Sequence, residues 1–411
     1  MHMRDFLGEN ARWLAAGALL TFASSFGQTF FVSLFGAEIR AELGLSHGGW
    51  GGAYTLGTVA SAILLTFAGG LADRFRVRAL ALVVIGALAL LCLAMASVSG
   101  FAMLALVIFG LRFLGQGALS HIAITAMGRW FSANRGRAMA VAALGFSLGE
   151  SLLPLAAVAV AGAVGWRGAW VAAAGLLLAM APLMLWLLAR ERTPRQIAES
   201  VEQTGMAGRQ WTRAQALRHW VFWAVAPALL APPFIGTAVF FQQAHVAAVK
   251  GWGIAAIAAA YPLYAGVTIA ASFAAAWGVD RFGARRLLPL YQAPMALGVI
   301  VLALGDAPWT ILATFALFGV TQGAAVAVLG SLWPELYGGR HIGAIRALAV
   351  AMMVLATALG PGLTGLMIDL GVGVERQFIG LGVWGFATCA FFAALAAKLR
   401  LEMAPPAAAK A

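Results

Sequence analysis

The chain has 411 residues, of which 62% are hydrophobic and only 10% are charged. Soluble domains carry about 25% charged residues, so this composition excludes an ordinary soluble fold. The formal net charge of +12 raises the question of a nucleic-acid partner, but the basic residues fall in short breaks between apolar segments and do not form a patch. The sequence therefore predicts a partner in the lipid bilayer and no nucleic acid.

Apolar segments of about 20 residues, the length that crosses the hydrocarbon core of a bilayer, recur along the whole chain. We predict twelve transmembrane helices, at residues 12–36, 49–69, 79–98, 101–127, 138–161, 167–189, 220–245, 254–278, 286–305, 309–331, 344–369 and 377–398. The longest polar stretch lies between the sixth and the seventh helix. The predicted organisation is therefore an N-terminal six-helix half at 1–190, a cytoplasmic connector at 191–219 and a C-terminal six-helix half at 220–411.

The positions of the 27 Lys and Arg residues predict the orientation. Most of them fall in the two tails and in every second break, whereas the alternate breaks hold only Arg40, Arg167, Lys250 and Arg376. Cytoplasmic loops carry the excess of Lys and Arg in membrane proteins. We therefore expect both termini to be cytoplasmic, in a multi-pass protein of the inner (plasma) membrane.

The two halves are related in sequence. Tyr54 and Tyr261 are separated by 207 positions, and Asp73 and Asp280 have the same offset. Because each half contains an even number of predicted helices, both halves enter the membrane in the same direction, as parallel repeats do. The predicted fold class is an all-α membrane protein with twelve transmembrane helices in two six-helix parallel repeats.

The loops that carry this repeat resemble the signature loop of the major facilitator superfamily. The first copy is Gly69-Gly-Leu-Ala-Asp73-Arg74-Phe-Arg76-Val-Arg78, and the second begins Asp280-Arg281-Phe282-Gly283. The chain is similar to that superfamily over essentially its whole length. Segments 128–140 and 217–223 narrow the resemblance to the branch of oxalate/formate exchangers and monocarboxylate transporters. The resemblance implies the major facilitator fold and secondary active transport by alternating access.

These loops also predict a cytoplasmic gate. A carboxylate at a helix end can accept hydrogen bonds from arginines and from the N-terminus of another helix, and such contacts form only when the cytoplasmic side is shut. The alternative is a basic loop that serves only to set the topology. The predicted gating residues are Asp73, Arg74, Arg78, Arg137, Asp280 and Arg281.

Arg112 and Glu150 are predicted to lie at bilayer depth, on the fourth and fifth helices. At 1.5 Å per residue, both are roughly 20 to 24 Å from the cytoplasmic ends of their helices. Ionisable groups at such depth are costly and indicate a functional site. We hypothesise that they face each other as a pair. Three roles remain open: Arg112 binds an anionic substrate, Glu150 exchanges a proton under the influence of Arg112, or the pair is structural.

Uncharged polar residues could complete a path for substrate or protons. Gln116 follows Arg112 by four positions and shares its helical stripe. Gln322 occupies the corresponding place in the tenth helix. Further candidates are Ser24 and Gln28 on the first helix and Gln242 on the seventh. For any one of them, the alternative role is an interhelical hydrogen bond.

We therefore predict a secondary transporter of a small organic solute. The resemblance points to an organic anion or monocarboxylate, although the basic residue that holds the carboxylate in that branch is missing from the predicted eighth helix. Coupling to H⁺ is expected because the sequence shows no ATP-binding domain. The alternatives are a multidrug-type exporter and a transporter-like sensor that moves nothing. The six histidines are scattered without catalytic or metal-ligand spacing, so we expect no enzyme activity, no cofactor and no metal site.

Overall fold

The computed structural model describes residues 3–68, 75–131, 135–189, 205–338 and 341–402. Regular structure in these ranges is helical, and no strand occurs in them. The α-helices are α1 Met3–Ser24, α2 Thr29–Val32, α3 Gly36–Leu43, α4 His47–Ala68, α5 Val77–Ala96, α6 Phe101–Leu111, α7 Ser120–Trp130, α8 Arg135–Leu187, α9 Arg213–Arg218, α10 Trp220–Ala228, α11 Ala231–Phe241, α12 Gln243–Val249, α13 Ile254–Ala258, α14 Tyr261–Phe282, α15 Ala284–Leu287, α16 Ala293–Leu304, α17 Trp309–Tyr337, α18 Ile342–Asp369 and α19 Val374–Glu402. Short 3-10 turns occur at Ser25–Gly27, Ser33–Phe35 and Met206–Gly208, and a π-helix occurs at Arg112–Leu119.

Within the described ranges, eight helical segments are long and apolar enough to cross a membrane. They are Val77–Ala96, Phe101–Gly128, Arg137–Leu187, Trp220–Phe241, Ile254–Phe282, Trp309–Tyr337, Leu348–Asp369 and Val374–Ala396. A ninth would combine Phe6–Gly27 with Thr29–Leu43, which are bent by 44° at the break between them. The all-α, multi-pass class is therefore confirmed, whereas the count of twelve and the orientation stay predictions.

The chain forms two compact units. The first unit contains Met1–Glu199, Phe240–Pro262 and Pro361–Asp369, and the second contains Ser200–Val239, Leu263–Gly360 and Leu370–Ala411. The first unit therefore includes parts of the predicted seventh, eighth and eleventh helices in addition to the first six.

Close contact between α1 and α8 organises the first unit. Gly145 of α8 lies so near the carbonyl oxygen of Ala18 that a Cβ atom there would collide with it. The Thr21 hydroxyl lies 2.5 Å from the carbonyl oxygen of Ala142 across the same contact. Small residues allow helix backbones to approach in lipid, where the hydrophobic effect does not hold helices together.

Arg167 joins three connecting segments of the first unit. It follows Gly165, where φ = 76° and ψ = 167° interrupt α8. The Arg167 side chain donates to Glu42 Oε1 at 2.7 Å and to the carbonyl oxygens of Ala96 and Val98 at 2.5 and 2.8 Å. The C-terminal ends of α3 and α5 and the interruption of α8 therefore lie together at one end of this unit, as an alternating succession of spans requires.

The second unit has an aromatic core that includes the connector residues before α10. Tyr337, Trp333 and Phe222 are buried in it. The backbone N–H of Trp211 donates to the carbonyl oxygen of Tyr337 at 3.0 Å. The described end of the connector is thus packed against α17 of its own unit.

Candidate functional site

The site is built around a break in the first membrane segment. The helix narrows to a 3-10 turn at Ser25–Gly27, and Gln28 is extended, with φ = −83° and ψ = 154°. When the next turn begins, the N–H groups of Phe31 and Val32 both bond to the carbonyl oxygen of Gln28, at 3.2 and 3.1 Å. The carbonyl oxygen of Gly27 therefore lacks its helical donor. Discontinuous helices of this kind hold substrates and ions in transporters.

Arg112 supplies a donor to that carbonyl group. Its Nη1 atom is 3.1 Å from the Gly27 oxygen and 3.4 Å from the hydroxyl oxygen of Thr29. The guanidinium carbon of Arg112 lies 5.1 Å from the ring centre of Tyr54. The Tyr54 hydroxyl in turn lies 2.5 Å from the Thr29 hydroxyl. The helix break is thus stabilised by a cation from another helix, because Arg112 bonds to the carbonyl group that the break leaves open.

The backbone around Arg112 departs from the α-helix as well. Residues Arg112–Leu119 form a π-helix, a rare geometry that is frequent at functional sites. Gly115 of this π-helix meets Gly27, so that a Cβ atom on Gly115 would lie 2.7 Å from the Cα atom of Gly27. Both positions need glycine because any side chain would separate the two backbones.

One edge of the Arg112 guanidinium group lacks a hydrogen-bond partner in the part of the chain that the structure describes. The residue is 1% exposed, and neither Nε nor Nη2 forms a hydrogen bond with any of those residues. These two nitrogens point in one direction and together can bind both oxygens of a carboxylate. A buried donor edge without a partner is costly, which indicates that it acquires a partner at some stage of function.

The hypothesised pair of Arg112 and Glu150 is not formed in this structure. Glu150 is 4% exposed, and no hydrogen bond or ion pair joins it to another residue of the described ranges. The preceding Gly149 packs against the side chain of Ser25, so α8 meets the break from another side. Equal depth in the membrane suggested this pairing, but depth does not decide which way the side chains point.

A second buried polar network lies in the same unit. The Tyr261 hydroxyl donates to Gln243 Oε1 at 2.9 Å, and Gln243 Nε2 donates to the Ser33 hydroxyl and the Phe30 carbonyl at 2.9 and 3.0 Å. The Ser33 hydroxyl in turn lies 2.7 Å from the carbonyl oxygen of Thr29. A chain of polar contacts therefore runs from Tyr261 to the helix break.

The two repeat-related tyrosines have matching surroundings. Tyr54 packs on Phe241 at 4.7 Å, and Tyr261 packs on Phe30 at 5.7 Å. Each hydroxyl also bonds to a polar side chain, as described above. Both tyrosines mark the sequence repeat but were not predicted as site residues, although a tyrosine repeated at equal offset in an apolar helix was a usable signal.

The uncharged candidates have different surroundings. Ser24 is buried and donates to the carbonyl oxygen of Thr21 at 2.6 Å, while Gln28 and Gln116 are half-buried beside the break. Gln242 donates to Thr364 at 3.2 Å within the first unit. Gln322 is exposed on α17 in the second unit. The structure thus brings Ser24, Gln28 and Gln116 to the neighbourhood of Arg112 and does not bring Gln322 into that unit.

The predicted gating residues are only partly described. Asp73 and Arg74 lie outside the described residues, while Arg78 and Arg137 are exposed. Asp280 is exposed too, and the exposed Arg281 lies over the rings of Trp277 and Phe282 at 5.9 and 5.8 Å. Gating by these residues stays a prediction.

Two carboxylates that the sequence analysis missed bind loop backbone. Glu335 accepts the N–H of Ala284 at 2.9 Å, just after the second copy of the signature loop. Asp369 accepts the N–H groups of His47 and Gly48, at 3.0 and 2.7 Å, and so caps the start of α4. Among the residues that the structure describes, no three His, Cys, Asp or Glu side chains come together as metal ligands.

Comparison with known proteins gives a family and a fold. A model of the Major Facilitator Superfamily matches residues 17–277. A bacterial homologue of the human lysosomal transporter Spinster, in an inward-facing and occupied conformation, superposes with a TM-score of 0.74 and 14% identity, over 96% of this chain and 98% of that one. The nucleoside transporter NupG superposes with a TM-score of 0.69 and 11% identity, over 93% and 99%. No curated protein matches the chain by sequence. At these identities the two structures show a shared fold alone.

Proposed function

Because this chain belongs to the major facilitator superfamily, we propose that it is a secondary active transporter that carries a small organic anion by alternating access. The observation that supports an anionic substrate is the buried Nε and Nη2 edge of Arg112, which has no hydrogen-bond partner among the described residues. Arginine presents parallel donors that match a carboxylate, and a single ammonium group cannot reproduce that geometry. We place the protein in the inner (plasma) membrane with both termini in the cytoplasm.

The surroundings of Arg112 suit a carboxylate ligand. Its Nη1 atom is already held by the Gly27 carbonyl, so the guanidinium plane is oriented before the ligand arrives. The hydroxyl groups of Thr29 and Tyr54 lie beside Arg112 and add further polar atoms to its surroundings. Preorganised donors reduce the entropy that is lost on binding. The resemblance to oxalate/formate exchangers and monocarboxylate transporters is compatible with this substrate class.

Charge balance supports coupling to a proton. Near the Ser25–Gly27 turn, Arg112 is a permanent cation, whereas the buried Glu150 can exist with or without a proton. A bound carboxylate adds one negative charge to a site from which water is largely excluded, where such charges interact strongly. A proton on Glu150 cancels this excess, so anion and proton favour each other's binding reciprocally. The proposed mode is therefore symport of the anion with H⁺.

The irregular backbone can accommodate the conformational change. Where helices bend during alternating access, an irregular backbone offers the least resistance, and the irregular segments near Arg112 are the extended Gln28 and the π-helix Arg112–Leu119. Both are in contact through Gly27 and Gly115. A ligand that binds Arg112 therefore acts on the segment where two helices can deform together.

A ligand-induced stability screen tests this function. Purified protein is incubated with a panel of mono- and dicarboxylates and, in parallel, with cationic drugs, at two pH values. We expect small carboxylates to raise the melting temperature and Arg112→Gln to weaken their binding about 10- to 100-fold, since each hydrogen bond to a charged group contributes about 1.5–3 kcal/mol. Arg112→Lys should also bind carboxylates weakly, because lysine lacks the paired donors of arginine.

The matched control is Arg213→Gln, which removes an exposed arginine from α9 and should leave carboxylate binding unchanged. Stabilisation by cationic drugs that persists in Arg112→Gln would contradict the proposal and favour a drug exporter. No stabilisation by either panel, together with no flux in liposomes, would favour a sensor that moves nothing.

A further inference from the structure

A basic cavity lies where two membrane-crossing segments of the second unit end. Its volume is 190 Å³, and Phe282, Arg285, Arg286 and Ala396 line it. One candidate span, Ile254–Phe282, ends at Phe282, and another, Val374–Ala396, ends at Ala396. The cavity therefore lies at the level where helices leave the hydrocarbon core and meet lipid headgroups.

The cations of this cavity are poorly compensated. Arg285 Nε is 3.6 Å from Glu335 Oε2, and no hydrogen bond from the Arg285 side chain occurs within the described ranges. Arg286 is exposed and forms no ion pair with the residues that the structure describes. Asp280 is also exposed and pairs with neither arginine. Two positive charges thus face one carboxylate, which leaves a net attraction for an anion.

Aromatic side chains surround the cavity on the lipid side. Trp277 is 63% exposed and Phe282 is 43% exposed, and the guanidinium group of Arg281 lies over both rings. Nearby on the same unit, Lys398 follows the span that ends at Ala396 and lies 4.6 Å from the ring centre of Trp220, the first residue of another span. Exposed aromatic rings beside cations are typical of the membrane interface.

We propose that this cavity binds the phosphate group of an anionic phospholipid, with Arg285 and Arg286 as the donors. Basic pockets between transmembrane helices bind acidic lipid headgroups. The exposed rings of Trp277 and Phe282 would contact the glycerol and upper acyl region of the same lipid. A phosphate that is free in solution would make no use of those apolar surfaces, so the lipid is the favoured source of the anion.

Lipid retention measured by native mass spectrometry tests the site. The purified full-length chain is titrated in detergent with phosphatidylglycerol or phosphatidylcholine at low ionic strength. We expect preferential retention of phosphatidylglycerol, and about a fivefold loss of affinity for each arginine removed, in Arg286→Gln and then in the double variant with Arg285→Gln. The exposed Arg213→Gln serves as the matched control and should retain the lipid as the wild type does.

A variant that should bind the lipid more tightly distinguishes an effect on the binding site from general destabilisation of the protein. In Glu335→Gln the amide oxygen can still accept the N–H of Ala284, while the charge that competes for Arg285 is removed. We expect Glu335→Gln to retain phosphatidylglycerol several-fold more tightly than the wild type. Equal retention of both lipids by the wild type, no loss in the double variant, or displacement of the lipid by an equal concentration of inorganic phosphate would overturn the proposal.

Discussion

Replacing Gly115 by alanine tests whether the contact between the two irregular helices holds Arg112 in place. The added Cβ would lie 2.7 Å from both the Cα and the N atom of Gly27. Carbon atoms in ordinary contact are about 3.5–4.0 Å apart, so the two backbones must separate by about 1 Å. Arg112 precedes Gly115 by three residues on the same helix and would move with it.

The displacement should break the hydrogen bond between Arg112 and Gly27. Its donor–acceptor distance of 3.1 Å would grow to about 4 Å, beyond the range of a hydrogen bond. Overpacking costs about 1–3 kcal/mol, and a hydrogen bond to a charged group contributes about 1.5–3 kcal/mol. Because partial relaxation reduces both effects, we expect Gly115→Ala to lower the free energy of unfolding by about 2–4 kcal/mol.

The assay is thermal unfolding in detergent, with and without a stabilising carboxylate, and uptake in liposomes. The matched control is Gly86→Ala in α5, where an added Cβ would meet nothing within 4 Å. Alanine is the better helix former by about 1 kcal/mol, so this control should be neutral or slightly stabilising. If Gly115→Ala unfolds at the same temperature as Gly86→Ala and keeps the carboxylate effect, the contact does not position Arg112.

Two further predictions concern carboxylates of the first unit. Glu150→Gln should leave carboxylate binding in place, because Arg112 is intact, but should abolish the rise of uptake that we expect of the wild type as the external pH falls; uptake that still follows pH in this variant would remove Glu150 from the proton path. Asp369→Ala removes the acceptor of two N–H groups at the start of α4 and should lower the free energy of unfolding by about 1 kcal/mol, measured by thermal unfolding. Asp369→Asn keeps one acceptor oxygen and should recover part of that loss, so equal melting temperatures of Asp369→Ala and the wild type would show that the cap is unimportant.

The membrane class and the burial of Arg112 could be predicted from the sequence. Apolar length alone identifies membrane segments, since the hydrocarbon core tolerates little else. An arginine in such a segment is conspicuous because its burial is so costly. These inferences depend on composition along the chain and not on the direction of any side chain.

The partners of Arg112 could not be predicted in the same way. Equal depth suggested Glu150, whereas the structure gives Arg112 the carbonyl group of Gly27 and the ring of Tyr54. A helix break shows only weakly in sequence, because serine and glycine, as at Ser25 and Gly27, are also frequent in intact membrane helices. The Gly27 carbonyl group that the break makes available to Arg112 can be identified only from the folded backbone.

By itself, the sequence determined an all-helical, multi-pass membrane protein, because an unpaired polar group in lipid is so costly that it limits which residues a membrane segment can contain. Only the tertiary structure decided which polar groups meet. Glu335 and Asp369 resemble ordinary helix-end acids in the sequence, yet each binds backbone N–H groups far along the chain. Such contacts depend on the packing angles of helices, which small residues permit and which no local pattern specifies.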